Sequence, residues 1–239
     1  MLVKTPALVL NSIRYRDADL IAKCYTRESG LKSYLLRGIL KSKKAKIRSS
    51  HFQPLNHLEI VASHKNKGSL EYIREVHILN LAGGLQSNVF KSSIAMFLSE
   101  ILRNAIQEEE TNAALFDFLT ESFRHLNDTE KHANFHLLFL LKLSQYLGFY
   151  PDRSNFGEAY FDLMEGNFQG SESNKHCASG QNTDLLNRLL GISYAEAEHI
   201  TLNKNMRNDF LEMLMLYYQI HLQGFYRPKS LDILKQLFS

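Results

Sequence analysis

The hydrophobic period of this chain changes once, at the adjacent glycines Gly83 and Gly84, and the change limits what each half can become. Before it apolar residues recur at every second position, and after it at every third or fourth. Five short runs fill the first half: TPALVLNSI, LIAKCYT, LKSYLLR, HLEIVAS and SLEYIREVHIL, rich in Val, Ile, Leu, Tyr and Thr. In the second run Leu20, Ala22 and Cys24 share one face while Lys23 and Arg27 share the other, as in a half-buried strand. Turn residues separate the runs: RDAD before the second, ESG before the third, NKG before the fifth. Five strands so close in sequence leave few edges open only if they curl into a closed or nearly closed barrel, so residues 1–80 are expected to form an OB-fold domain.

Beyond the glycines, Leu85, Val89, Ile94, Phe97, Ile101 and Ala105 step at helical spacing, which predicts a helix ending near Glu108. Further helices are expected over about 112–126, 131–147, 183–190, 193–199 and 203–223, with a short one after Pro228. The third is apolar almost all round and reads as the buried centre of a bundle, stopped by Gly148 and Pro151. Ser193 with Glu196 forms a capping box before the fifth. Residues 150–182 are polar and rich in Gly, Ser and Asn. They read as an irregular excursion with a hairpin at AYFDLMEGNFQ, turning at GN. The expected fold class is α+β: a five-stranded OB barrel over 1–80, then an all-α helical domain over 81–239.

Charge divides at the same place. Residues 1–80 carry 15 Lys and Arg against 6 Asp and Glu, a net of +9, and residues 81–239 carry 13 against 19, a net of −6. That asymmetry points to a polyanionic partner for the first half. Only Cys24 and Cys177 occur, so the expected compartment is reducing and cytoplasmic. The longest apolar run, FHLLFLLKLSQYLGF, contains Lys142 and is too short to span a bilayer, and MLVKTPALVL is no signal peptide, so no membrane role is expected.

Residues 37–48, RGILKSKKAKIR, concentrate the charge: Arg37, Lys41, Lys43, Lys44, Lys46 and Arg48, with no acid. A lysine-rich stretch is often only a solvated loop. Here Arg14, Arg16, Lys23, Arg27 and Lys32 lie on neighbouring strands and turns, and Tyr15, Tyr25, Tyr34 and Phe52 are interleaved with them. Cations for phosphates and rings for bases are what a single-stranded nucleic acid requires. The candidate nucleic-acid-binding residues are therefore Arg14, Arg16, Lys32, Tyr34, Arg37, Lys41, Lys43, Lys44, Lys46 and Arg48, a set that does not by itself distinguish DNA from RNA.

Other chemistries find less support. His176 and Cys177 are two adjacent potential ligands, too few for a tetrahedral zinc site. Asp17 and Asp19 form the tightest acidic pair, in a turn where Asp is favoured for bonding backbone. No phosphate-binding loop, nucleophile elbow or zinc-protease motif occurs. No catalytic residue, metal site or cofactor is expected.

Four stretches in order resemble the RecO family of bacterial recombination mediators of the RecF pathway. They are TPALVLNSIRYRDADLIAKCYTRESGLKSYLLRGILKSK, FQPLNHLEI, LGFYP and YYQIHLQGFYRPKSLDIL. The resemblance implies an OB-fold followed by a helical domain, binding of single- and double-stranded DNA, and strand annealing. It further implies assistance to RecA on strands coated by single-strand-binding protein, and hence a nucleoid-associated place in the cytoplasm. The partners implied are RecR and the acidic C-terminal tail of single-strand-binding protein, with RecA indirectly. Many relatives carry a four-cysteine zinc module after the LGFYP segment; this chain keeps only Cys177 there, so no zinc is expected. An acidic, apolar-ended tail requires a hydrophobic groove flanked by cations, and Lys91, Arg103, Arg124 and Lys142 are the candidates. Each could instead balance nearby acids such as Glu100 or Glu121. Two rival functions remain: a general RNA-binding OB module, which RNA and DNA competition would separate, and a metal-dependent nuclease, which a Mg²⁺ assay would expose.

Overall fold

The computed structural model describes residues 1–41, 46–65, 70–80, 85, 87–107 and 110–237. It divides into two compact units, Met1–Asn127 and Asp128–Ser239. Lys43 and Lys44 of the basic stretch lie outside the described residues.

The first unit is built on five antiparallel strands: β1 (Leu2–Tyr15), β2 (Asp19–Thr26), β3 (Gly30–Leu36), β4 (His57–Ser63) and β5 (Tyr72–Asn80), in the order β3-β2-β1-β4-β5. β1 is the longest because it serves two partners, β4 along residues 2–8 and β2 along residues 7–15. A bulge between Val9 and Asn11 bends it between them. The edge strands β3 and β5 meet at one parallel bridge: Leu35 N–H donates to the Glu71 carbonyl (2.9 Å) and Glu71 N–H to the Ser33 carbonyl (2.8 Å). The barrel is thus nearly closed, joined by a bridge and not by a ladder. Its core includes Val9, Ala22, Tyr34, Phe52 and Ile60. The wholly buried Cys24 thiol is pushed up to about 12 by burial, so it serves packing and not nucleophilic chemistry.

The compact unit runs past residue 80 because two helices fasten to the barrel. α1 (Val89–Ala105) is capped by Asn88, whose side-chain oxygen accepts the Phe90 and Lys91 N–H groups, and its Ser99 hydroxyl donates to the Leu10 carbonyl at the bulge (2.6 Å). α2 (Ala113–Asp128) brings Phe116 against the Tyr25 and His57 rings, and Asp117 takes a bidentate pair of bonds from Arg27 (2.9 and 3.0 Å).

In the second unit α3 (Phe135–Tyr146) is the buried centre that its sequence implied, with Leu137, Phe139, Leu140 and Leu143 fully enclosed. Around it lie α4 (Gln181–Leu189), α5 (Tyr194–Ala197), α6 (Lys204–His221) and α7 (Leu231–Leu237). The Ser193–Glu196 capping box forms as expected. Tyr217 and Tyr218 of α6 donate to the Phe149 and Leu140 carbonyls, each at 2.7 Å.

The all-α expectation for this half needs one correction. Residues 150–182 hold a three-stranded sheet, β6 (Tyr160–Asp162), β7 (Asn167–Gln169) and β8 (Cys177–Ser179), in the order β7-β6-β8. The expected hairpin is β6–β7. Its Gly166 sits at φ +69°, and a Cβ there would lie 2.8 Å from the Tyr217 hydroxyl, so the position requires glycine.

Asp162 ties this small sheet together. Its carboxylate accepts the Met164 (2.8 Å) and Glu165 (3.2 Å) N–H groups, the Ser173 hydroxyl and the Asn174 amide, both at 2.6 Å. Burial works against its ionisation, but these bonds outweigh burial and hold the carboxyl below its usual range. Cys177 belongs to the same network, accepting from Gln169 at 3.1 Å. Among the described residues no three His, Cys, Asp or Glu gather to hold a metal. Asp162→Ala should therefore cost about 2–3 kcal/mol, the desolvation of the donors it strands. The contribution is present above the unfolded carboxyl range near pH ~4 and is lost as pH falls through the lower folded value. Thermal melts of both forms with and without chelator check this: the substitution should lower Tm and chelator should not. A chelator-sensitive wild type with stoichiometric zinc would show instead that a metal holds this segment.

Candidate nucleic-acid interface

The chain leaves β3 directly into the basic stretch, and backbone bonds fix where that stretch begins. Gly38 N–H donates to the Asp19 carboxylate (2.7 Å), and Leu40 N–H donates to the Ala18 carbonyl (2.9 Å). Asp19 thus serves the backbone, as a turn aspartate is expected to, although the N–H it accepts belongs to the basic stretch. At the far end Arg48 opens a 3-10 helix, Ser49–Phe52, held where the Asn56 amide donates to the Ser50 and His51 carbonyls at 3.0 Å each. Phe52 is fully enclosed in the barrel core together with Ile39, and Ile47 packs against them. These three apolar side chains anchor the stretch, while Arg37, Lys41, Lys46 and Arg48 stay exposed.

The Leu40–Ala18 bond also sets Lys41 beside the β1–β2 turn, which carries two more candidates. Arg14 and Arg16 are both exposed. Arg14 donates to the Asp17 carbonyl at 3.3 Å, and the Arg16 guanidinium lies 5.1 Å from the Tyr15 ring centre. Arg16 adopts φ +55°, a left-handed conformation uncommon outside glycine, in which it turns the corner of the hairpin. Lys32 is half-buried on β3, where its charge reaches His64.

Tyr34 must be withdrawn as a base-contacting residue. It lies opposite Ala22 in the β2–β3 register and shares its inward face, wholly buried, with its hydroxyl 2.9 Å from His64 Nε2. Tyr25 and Phe52 are equally enclosed. Of the four rings interleaved with the basic residues, Tyr15 alone is partly exposed. The available ring that sequence reasoning missed is Tyr72. The Arg37 guanidinium lies 5.3 Å from its ring centre and donates to its hydroxyl (3.1 Å), and the Lys65 ammonium lies 6.0 Å from the same ring. Nothing local in the sequence joins these three residues; the bridge between β3 and Glu71 brings Arg37 to the ring, and the β4–β5 pairing of Ser63 with Tyr72 brings Lys65.

The four partner candidates also separate. Lys91 is buried with its ammonium donating to the Asn127 carbonyl (2.8 Å), so it is a helix-to-helix tie and not a docking cation. Arg124 is paired with Glu121 at 2.5 Å, the acid-balancing alternative. Lys142 is half-buried over the Tyr194 ring at 5.7 Å; burial pushes its ammonium down against the opposing pull of Glu196. Arg103 lines a cavity of about 270 Å³ between α1 and β1 with Leu10, Pro54, Leu85, Met96 and Glu100. Burial and then the Arg103 charge push Lys23 down, so two cations share this side of the unit.

A nearly closed five-stranded barrel with exposed cations at one end, followed in sequence by a helical bundle, is an OB-fold protein with a helical C-terminal half. Residues 1–82 match the family model described as Recombination protein O N terminal, and residues 86–232 match Recombination protein O C terminal. The chain is 46% identical to DNA repair protein RecO of Christiangramia forsetii, and 43% and 42% identical to those of Flavobacterium psychrophilum and Flavobacterium johnsoniae, each covering 100% of both chains. The chain belongs to the RecO family of DNA repair proteins. No helix among the described residues is long and apolar enough to cross a membrane.

Proposed function

We propose that the protein is a recombination mediator that binds single- and double-stranded DNA, anneals complementary strands and helps RecA onto strands coated by single-strand-binding protein. The observation that carries this reading is the basic stretch pinned at both ends to the barrel. Ile39 is buried in the core and Ile47 packs against it, and Lys41 stands beside the β1–β2 turn that carries Arg14 and Arg16. Annealing requires two polyanions to be brought together, and a cationic surface lowers their mutual repulsion. The mediator reading also calls for a contact with the acidic tail of single-strand-binding protein, and the cavity under Arg103 fits an apolar-ended acidic peptide. Glu100 on the same wall restricts where the carboxylates of that tail can lie. RecR is the further partner of this reading, with no catalytic step assigned to the chain.

Annealing of complementary oligonucleotides, naked or coated with single-strand-binding protein, tests both parts. The wild type should accelerate both reactions. Arg103→Glu should slow the coated reaction roughly tenfold and leave the naked one within about twofold, since it reverses a charge that steers the acidic tail while every cation of the basic stretch is retained. No acceleration by the wild type would refute the mediator reading. Equal rates for Arg103→Glu on coated strands would place tail docking elsewhere.

A further inference from the structure

We propose that Tyr72 is the base-stacking platform of the interface, held ready by Arg37 and Lys65, and that it sets the preference for single over double strands. The inference rests on the DNA-binding reading above and adds to it a residue and a basis for selectivity. Tyr72 opens β5 immediately after Glu71, whose backbone makes the bridge that joins the barrel edges. Glu71 is itself fixed: it is 2% exposed, and its carboxylate accepts the Lys65 N–H through both oxygens, at 2.9 and 2.8 Å. The ring therefore stands on rigid backbone, half-exposed, at the mouth of the strand that feeds the basic stretch.

Two cations lie within 6.0 Å of the ring centre, and both have a stronger partner in DNA. A cation over an exposed ring gains only a few-fold in equilibrium constant. A phosphate offers Arg37 a charge-assisted, two-pronged contact. A base laid on an aromatic ring gains roughly five- to hundredfold. Binding thus exchanges ring-bound cations for phosphate-bound cations and an uncovered ring for a stacked one. In a duplex the phosphates are available but the bases are already stacked on one another, so only the first half of the exchange occurs. Selectivity for a single strand follows from the ring, and affinity common to both forms follows from the cations.

The chain contains no tryptophan, so Tyr72→Trp places the only indole of the protein at this position. Its emission is followed during titration with oligo(dT) and with a duplex of equal length, while anisotropy of the labelled nucleic acid reports binding independently. The expected result is strong quenching by oligo(dT) at saturation and little by duplex. Tyr72→Phe should bind within about twofold of wild type, and Tyr72→Ala should lose roughly tenfold on the single strand and under twofold on duplex. Unchanged indole emission while anisotropy shows full binding, or equal loss on both nucleic acids, would overturn the platform and leave DNA binding standing. No anisotropy change for the wild type on either nucleic acid would remove the DNA-binding reading and the platform with it. The quenching arm uses an aromatic replacement and stays decisive should Tyr72→Ala fail to fold.

Discussion

Replacing Arg37, Lys41, Lys46 and Arg48 together by alanine should lower affinity for a single strand on the order of 10³-fold at about 50 mM salt. Each phosphate contact contributes about 0.7 to the slope of log affinity against log salt on a single strand, so four lost contacts flatten it by about 3. The loss should be the same for every base sequence, because phosphates carry no sequence information. Stability should hardly move. The stretch is kept in place by the Gly38–Asp19 and Leu40–Ala18 bonds and by buried Ile39 and Phe52, none of which is altered. Exposed cations typically change stability by under about 0.5 kcal/mol each. Binding titrations at a series of salt concentrations, with a thermal melt of the same sample, give both quantities. An unaltered slope with unaltered affinity would reduce the stretch to a solvated connection.

The position of that stretch was legible in sequence because charge and strand period are both local patterns. So were the helices: a long run at helical spacing such as Val89–Ala105 declares its type, and the Ser193–Glu196 capping box declares the start of a later one, whereas the Asn88 cap that starts Val89–Ala105 was not read from the sequence. What local patterns did not reveal is which side of a surface a given ring or cation takes. Tyr34 falls in phase with Leu36, and the β2–β3 register then puts it beside Ala22 on the inward face; without the register its ring reads as available. Lys91 lies on the same helical face as Ile94 and Leu98, and it is tolerated there because a single carbonyl, that of Asn127, receives its ammonium. In the small sheet the GN turn announced the β6–β7 hairpin, but β8 has no turn signal to pair it, and its three residues are shorter than any window in which alternation can be recognised. Tyr72 was hidden for another reason. Its two cations come from positions 37 and 65: the β4–β5 pairing brings Lys65 to the ring, and only the bridge between β3 and Glu71 brings Arg37 there.

Phe52→Ala should cost about 3–5 kcal/mol, because it empties the volume of a fully buried ring in a core that is small and tightly packed. Against a typical domain stability of about 5–15 kcal/mol, that is a large share. The same substitution separates two roles that the sequence left open for this ring. A ring that stacked on bases would, on removal, weaken DNA binding and leave stability almost untouched. A ring that anchors the stretch does the reverse: stability falls first, and affinity falls only as far as the 3-10 helix and the cations before it lose their positions. Phe52→Leu keeps most of the apolar volume and should cost about 1 kcal/mol with DNA affinity within about twofold. Guanidinium unfolding midpoints for both variants, set beside their affinities at fixed salt, distinguish the two. A Phe52→Ala protein within 1 kcal/mol of wild type that has nevertheless lost its grip on single strands would return this ring to the nucleic acid and leave the basic stretch without its anchor.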